Sequence, residues 1–362
     1  NRFVNTTKCS IDFLSFIFYN RHIFYHPGVN MKQFLWNKLF IIGFLTGILF
    51  VLSGCASTDS NPLTYQDTLF DTVIQIRIYD ANADEALDAC KTACKTYENL
   101  FSRTVEGSDI YRLNHANGSP TELSDETITL LKLALQYCEL SDGAFDVTLA
   151  PLSDLWNFQD NSGVLPDNTA IAEALSHVGY KNVMITGNTV QLLDSQTEID
   201  LGGIAKGYIA DHLKTILKEY NVEHALIDLG GNILALGGKP DGTAFRIGIQ
   251  KPFSLSGEAM TYVETTNQSV VSSGVYQRYF ELDGTIYHHI LNPQTGYPYQ
   301  NHLYGVTILS DSSADADALS TTCFALGPEE GMKLINSLDY AEALFITDEY
   351  ELLYSNNFPK NK

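Results

Sequence analysis

Apolar and polar residues change period several times along this chain, and the changes predict a mixture of strands and helices. From Thr68 to Asp80, "TLFDTVIQIRIYD", they alternate, which predicts a strand with two unlike faces. Next, Leu87, Cys90, Cys94, Tyr97 and Phe101 recur at three and four, one face of an amphipathic helix. "SDETITLLKLALQYCELSDG" predicts a second helix, with Ser124 or Asp125 as N-cap and Gly143 past its end. Gly143–Phe158 has no clean period and reads as a loop or short strand leading into a turn. "NVMITGNTVQLLD" predicts a hairpin across Thr186 to Asn188. "EIDLGGIAKGYIADHLKTILKEY" runs from a strand through Gly202-Gly203 into a helix, and "HALIDLGGNILALGG" is a strand pair broken at Gly230-Gly231.

Further on, "AFRIGIQKP" and "QSVVSSGVYQRYF" read as strands, and "IYHHILNPQTGYP" as a strand followed by a turn-rich loop. "LYGVTILS" is another strand, with the "DADALS" helix after it. A helix near Pro328–Leu338 and a hairpin in "AEALFITDEYELLYS" close the chain. There is no fixed-period repeat and no regular βαβ alternation. The expected class is therefore α+β, with mixed, largely antiparallel sheets and packed helices. No Pro/Ser-rich linker divides residues 63–362, which read as one catalytic unit of two packed lobes.

The N-terminal region reads as an address. Met31 opens a stretch with basic Lys32 and Lys38, then an apolar run from Leu39 to Leu52. That run is shorter than the ~17–25 residues of a spanning helix and fits a signal-peptide core. It ends in "LSGC", which resembles the lipobox of bacterial lipoproteins, so Cys55 is the expected lipidation site and residues 31–55 the signal. Residues 56–62 are then a polar tether, and the folded part is expected on the extracytoplasmic side of a bacterial cell membrane, lipid-anchored through Cys55. Residues 1–30 precede a Met with its own complete signal and are expected to be an upstream extension outside the mature fold.

Composition narrows the function. The 362 residues are 44% hydrophobic and 18% charged, a globular balance, and the net charge of -21 excludes a basic nucleic-acid footprint. So acidic a protein repels a phosphate ligand unless a cation or a helix N-terminus intervenes. Of the six cysteines, Cys90 and Cys94 lie four apart on a helix, but no second pair completes a zinc pattern, so small buried hydrophobes are expected there.

Four stretches carry candidate chemistry. "SSGVYQRYF", Ser272 to Phe280, puts a Gly between hydroxyls and aromatics and could flank a flat ligand or be an ordinary strand with a bulge. In "DLGGIAKG", adjacent glycines permit close backbone approach, the following helix offers N–H groups to an anion, and Lys206 adds a positive charge. The order is wrong for a P-loop, because Lys206 precedes the final Gly. In "DADALSTT", Asp317 and Thr321 are four apart on one helical face. They suit a hard cation such as Mg²⁺, though taken alone the stretch reads first as a capped helix start, to which Asp315 and Asp311 belong. In "YHHILNPQTGYP", His288 and His289 point to opposite faces of a strand and cannot together hold a metal. Neither a G-x-S-x-G elbow nor an H-E-x-x-H helix occurs.

Taken in order, "FDT", "FSRTVEGSDIYRLN", "DGAFDVTLAPLSDLW", "IDLGGIAKGY", "ALIDLGGNI", "SSGVYQRYF", "HHILNPQTGYP" and "DADALSTTCFALG" resemble the ApbE family, the FAD:protein FMN transferases, from about Tyr65 to the C-terminus. The resemblance implies Mg²⁺-dependent transfer of the FMN half of FAD to a Thr or Ser hydroxyl of a partner, with release of AMP. The implied partners are flavoprotein subunits of membrane electron-transfer systems. Hydrolysis of FAD to FMN and AMP is the implied alternative. By the same resemblance the metal is held by Asp317, Thr321 and the backbone carbonyl of Gly203. FAD contacts are implied at Phe70, Ala144, Phe145, Asp146, Asp200, Lys206, His289 and Ile290, with His289 or an acidic residue as the base.

Overall fold

The computed structural model describes residues 61–159, 163–254 and 256–359, so the predicted upstream extension, signal and Cys55 lie outside the described residues. In chain order the elements begin with β1 (Leu63–Leu69), β2 (Thr72–Ile78), α1 (Asp84–Phe101), α2 (Asp109–Asn114), β3 (Thr121–Glu122), α3 (Asp125–Leu140), α4 (Ala150–Trp156) and α5 (Asn168–Ser176). Then come β4 (Val183–Thr186), β5 (Thr189–Leu192), α6 (Ala205–Glu219), β6 (Ala225–Leu229), β7 (Asn232–Leu236), β8 (Phe245–Gln250) and β9 (Ala259–Thr265). The rest are β10 (Ser269–Gly274), β11 (Tyr279–Leu282), β12 (Thr285–His288), β13 (Leu303–Ser310), α7 (Ser313–Ser337), β14 (Ala341–Thr347) and β15 (Leu352–Tyr354).

Eight strands form the main sheet, in the order β1-β2-β6-β7-β10-β13-β14-β15. Every neighbouring pair in it is antiparallel, as the α+β reading expected. Near its middle, β13 is buried along almost its whole length, so it carries apolar side chains on both faces. One face packs a core of Ile74, Ile76, Leu130, Leu213, Ile308, Leu319 and Phe324 with the helices. The other face is covered by the β8–β9 hairpin, whose Phe245, Ile247, Ile249 and Val263 meet Leu309, Leu344 and Ile346. A third cluster, around Trp156, Phe158, Ile171, Phe280 and Leu291, fastens α4, α5 and the β11–β12 hairpin together.

The amphipathic face of α1 is as predicted, with Leu87, Cys90, Cys94, Tyr97 and Phe101 all buried. Cys90 and Cys94 are free thiols in the core, and burial pushes both up to about 12. Ser124, not Asp125, caps α3, its Oγ accepting from the Thr127 N–H. Gly143 follows at φ +80°, its N–H on the Cys138 carbonyl at 2.8 Å. Helix α7 breaks at Gly327 (φ +80°), with Pro328 next, so the two predicted helices meet at a kink.

Four expectations fail. The strand predicted before Gly202-Gly203 is only an isolated bridge from Glu198 to Leu149, and "QSVVSSGVYQRYF" breaks after Gly274 into β10 and β11. The predicted strand Thr68–Asp80 is a hairpin, turning at Phe70-Asp71, where both residues have φ +56°. Alternation ran through the turn because Phe70 is not a turn former and Asp71, though one, is not followed by the Gly that marks a tight hairpin. The stretch Gly143–Phe158 is not irregular throughout: Ala150–Trp156 is helical, with Pro151 in its first turn, a run too short to display a period. Among the described residues no helix is long and apolar enough to cross a membrane.

Candidate active site

The glycine turn is built by Asp200. Its N–H bonds the Val147 carbonyl at 2.8 Å, which lays residues 199–203 beside the Ala144–Thr148 segment. Its Oδ1 accepts from Gly202 N–H at 2.8 Å and folds the turn, while Arg103 Nε lies 3.4 Å from Oδ2. Helix α6 starts from this turn without a side-chain cap. Lys206, in its first turn, curls back so that Nζ donates to the Gly202 carbonyl at 2.7 Å.

Helix α7 begins against α6. Ser312 caps it, its Oγ accepting from Asp315 N–H at 3.2 Å. Asp211 of α6 accepts from the next two orphan N–H groups, Ser313 at 3.0 Å and Ala314 at 2.9 Å. Burial raises the Asp211 pKa, and these bonds oppose the rise. Asp315 is more than a helix-start charge: its Oδ1 accepts from Tyr137 OH at 2.6 Å and ties α3 to α7.

The two helix starts cross at Gly207. A Cβ there would lie 2.1 Å from the Ser313 carbonyl oxygen and 2.8 Å from Ala314 Cα, both backbone. That closeness lets Gly207 N–H donate to Asp317 Oδ2 at 2.9 Å, and Lys206 Nζ is 3.9 Å from the same oxygen. The expected anion at this helix N-terminus is therefore, in part, the protein's own buried carboxylate, since Gly207 N–H is spent on Asp317 and Gly202 N–H on Asp200. One turn on, Thr321 Oγ1 is 3.6 Å from where a Gly203 Cβ would sit, and Phe145 Cε2 is 2.9 Å from the same point. Asp317, Thr321 and the Gly203 turn thus share one corner. Their oxygen donors suit a hard divalent cation, with Asp317 only 4% exposed and its carboxylate able to supply the charge. Among the described residues no three His, Cys, Asp or Glu side chains group to hold a metal, so any ion here relies on a hydroxyl, backbone and ligand oxygens.

His289 follows β12 directly and donates its N–H to the Arg278 carbonyl at 3.1 Å. Its Nδ1 is buried with no hydrogen-bond partner. Burial pulls its pKa down to about 3, and His288, Arg278 and Lys206 add to that fall, so the ring is neutral at ordinary pH. His288 takes the opposite face, as the strand period required. It is in the core, Nε2 2.8 Å from the Tyr299 carbonyl oxygen and its ring edge-on to Phe324. Burial lowers it to about 4, against the bond to Tyr299. Unfolded imidazoles titrate near ~6.5. Between that value and the native ones the unfolded chain binds more protons, so stability is fully present above pH ~6.5 and is lost as pH falls. A His288→Gln variant is expected to lose less melting temperature than the wild type between about pH 7 and about pH 5. Equal losses would show that the buried imidazole is not the source.

The remaining predicted contacts connect to this corner. Tyr299 OH donates to the Ala144 carbonyl at 3.0 Å, and Tyr299 N–H donates to that of Ile290 at 3.1 Å, binding the two segments. Asp146 is buried and committed to structural bonds, accepting from Thr148 N–H and Thr148 Oγ1 beside it and from Tyr180 N–H 34 positions on. Burial raises its pKa against those bonds. Its carboxylate therefore shapes the segment that presents Phe145. Phe70 occupies the left-handed turn between β1 and β2, a strained place for a bulky residue. Glu98 holds it by accepting Phe70 N–H at 2.9 Å, and Arg278 Nη2 donates to the Asp71 carbonyl at 3.2 Å. Glu98 and Asp211 were not singled out from the sequence, and Ser273 and Arg278 only as part of a stretch that could flank a ligand; each acts on residues more than 25 positions away, beyond the reach of local spacing. Two surface clefts, of about 890 and 650 Å³, are lined by none of the predicted site residues.

This fold is that of a known class. The ApbE family profile matches residues 70–345. A relative named FAD:protein FMN transferase from Klebsiella pneumoniae is 34% identical, over 83% of this chain and 93% of its own length. One of the same name from Treponema pallidum is 33% identical, over 84% of this chain and 90% of its own. Among solved structures, an ApbE protein from Thermotoga maritima superposes with a TM-score of 0.75 at 32% identity, covering 82% of this chain and 98% of that one. The flavin transferase ApbE from Vibrio cholerae gives 0.74 at 27%, covering 82% and 97%. The chain belongs to the ApbE family.

Proposed function

We propose that this protein is an enzyme that transfers the FMN half of FAD to a Thr or Ser hydroxyl of a partner flavoprotein, with Mg²⁺ bound and AMP released. One observation carries the reading: the Gly202-Gly203 turn, Lys206, Asp317 and Thr321 meet where α6 and α7 start. In the reaction the hydroxyl oxygen forms a bond to the FMN phosphorus, the pyrophosphate P–O bond breaks, and AMP leaves with that electron pair. Asp317, Thr321 and the Gly203 carbonyl would hold Mg²⁺, which neutralises charge on the pyrophosphate oxygens. Lys206 adds a second positive charge to a protein that otherwise repels phosphate. Phe145 and Phe70 offer apolar faces to the flavin. The neutral His289 ring has a lone pair with which to accept the hydroxyl proton, and a bound pyrophosphate nearby would raise its basicity.

Residues 63–362 constitute the catalytic domain in this reading. Residues 31–55 are the signal and Cys55 the lipid anchor. The enzyme then works on the extracytoplasmic face of the membrane, on subunits of membrane electron-transfer systems. Incubation with FAD, Mg²⁺ and a flavoprotein bearing a Thr or Ser acceptor is expected to add the mass of FMN to that residue and to release AMP. Formation of FMN and AMP with no change in partner mass would instead establish the hydrolytic reaction.

A further inference from the structure

Three hydroxyls stand in line beside the proposed metal corner. Ser273 Oγ, on β10, is 3.2 Å from Thr321 Oγ1 and 2.7 Å from Ser320 Oγ. Ser320 Oγ is in turn 2.8 Å from the Asp317 carbonyl oxygen. A hydroxyl has one proton to give and two lone pairs to accept with. A carbonyl only accepts, so the Ser320 proton goes to Asp317 O. Ser320 then accepts from Ser273, which spends the single Ser273 proton. Thr321 must therefore donate to Ser273. The order of protons is fixed from one end to the other: Thr321 to Ser273, Ser273 to Ser320, Ser320 to Asp317 O.

We infer that Ser273 is a positioning residue that turns the Thr321 proton away from the Gly203 turn and so presents the Thr321 lone pairs to the cation. This rests on the metal reading above. The physical need is specific. A helical Thr otherwise gives its proton to the carbonyl four residues back, here Asp317 O, and changes rotamer to do so. The side chain of Ser320 already uses that carbonyl, and Ser273 offers the better-placed acceptor. The main sheet holds Ser273 in place, because β10 pairs with β13 in a register that sets Ser273 opposite Val306. Ser320 is fully buried, which leaves its proton no solvent alternative.

The test is calorimetric titration of Mg²⁺ into the metal-free whole protein without FAD, with the melting temperature of each metal-free variant measured alongside. Ser273→Ala is expected to bind Mg²⁺ roughly fivefold more weakly, about the worth of one net hydrogen bond. Ser273→Thr, which keeps the hydroxyl, is expected to bind as the wild type does. Ser320→Ala frees the Ser273 proton to point at Thr321, reversing the relay, and is expected to weaken binding too, although Ser320 is not a proposed ligand. Thr321→Ala sets the full size of the effect. Wild-type affinity in both serine-to-alanine variants, beside a loss in Thr321→Ala, would overturn the relay. So would equal losses in Ser273→Ala and Ser273→Thr, which would make the effect one of packing. If the wild type binds no Mg²⁺ and Asp317→Ala behaves identically, the metal reading falls and the relay with it.

Discussion

Replacing Asp317 with Ala is expected to lower FMN transfer by more than about a hundredfold, since even outer-shell partners of a metal are worth roughly 10–100-fold. Asp317 supplies the only carboxylate of the proposed metal corner, and it is almost wholly buried. The fold is expected to survive. Removing the side chain leaves Gly207 N–H without its acceptor, at about 1–3 kcal/mol, but also removes a charge that was costly to bury. Asp317→Asn separates the two effects. It keeps an oxygen for Gly207 N–H and loses the charge, so its melting temperature should stay near that of the wild type while transfer remains lost. The measurement is mass gain on a partner protein in Mg²⁺ buffer, with thermal melts in parallel. Normal transfer by either variant would remove Asp317 from the mechanism.

The second large effect is on the fold itself. Gly207→Ala places a methyl 2.1 Å from the Ser313 carbonyl oxygen and 2.6 Å from its carbon. Those are backbone atoms, so relief requires α6 and α7 to move apart. Overpacking of this kind costs typically about 1–3 kcal/mol, occasionally more. In a unit of this size each kcal/mol lowers the melting temperature by roughly 2–4 °C, so a fall of several degrees is expected. Transfer should fall as well, because the same separation draws Gly207 N–H and Lys206 away from Asp317. A variant that melts within a degree of the wild type would show that the crossing is looser than its geometry.

Much of this arrangement was legible along the chain. The 3.6-residue period of α1 put Cys90 and Cys94 in the core because one face of a helix is all that a packed helix buries. The two-residue period placed His288 and His289 on opposite faces, and the structure keeps one in the core and the other beside Arg278. Turn residues marked Gly187-Asn188 and Gly230-Gly231 correctly. The turn at Phe70-Asp71 gave only the weak sign of Asp71, with no Gly beside it. Its left-handed backbone is imposed by Glu98 and Arg278, respectively 28 and 207 positions away. Helix α4 was missed because seven residues hold fewer than two full turns of pattern.

The site divides in the same way. Four-residue spacing alone set Asp317 and Thr321 on one helical face, because an α-helix returns to that face in about one turn. The sequence also specified a small, flexible turn at Gly202-Gly203 and one lysine beside it. Whether "DADALSTT" was a capped helix start or a metal corner depended on what faced it, and spacing does not report that. What faces it is set by tertiary structure: the crossing at Gly207 brings α6 and α7 together over 110 positions of chain and puts Asp317 on a backbone N–H. Packing also has Ser312 and Asp211 cap the helix, so the side chains of Asp317 and Thr321 are not spent on the cap. Local periodicity determines which residues share a face; only the packing of elements determines which faces meet.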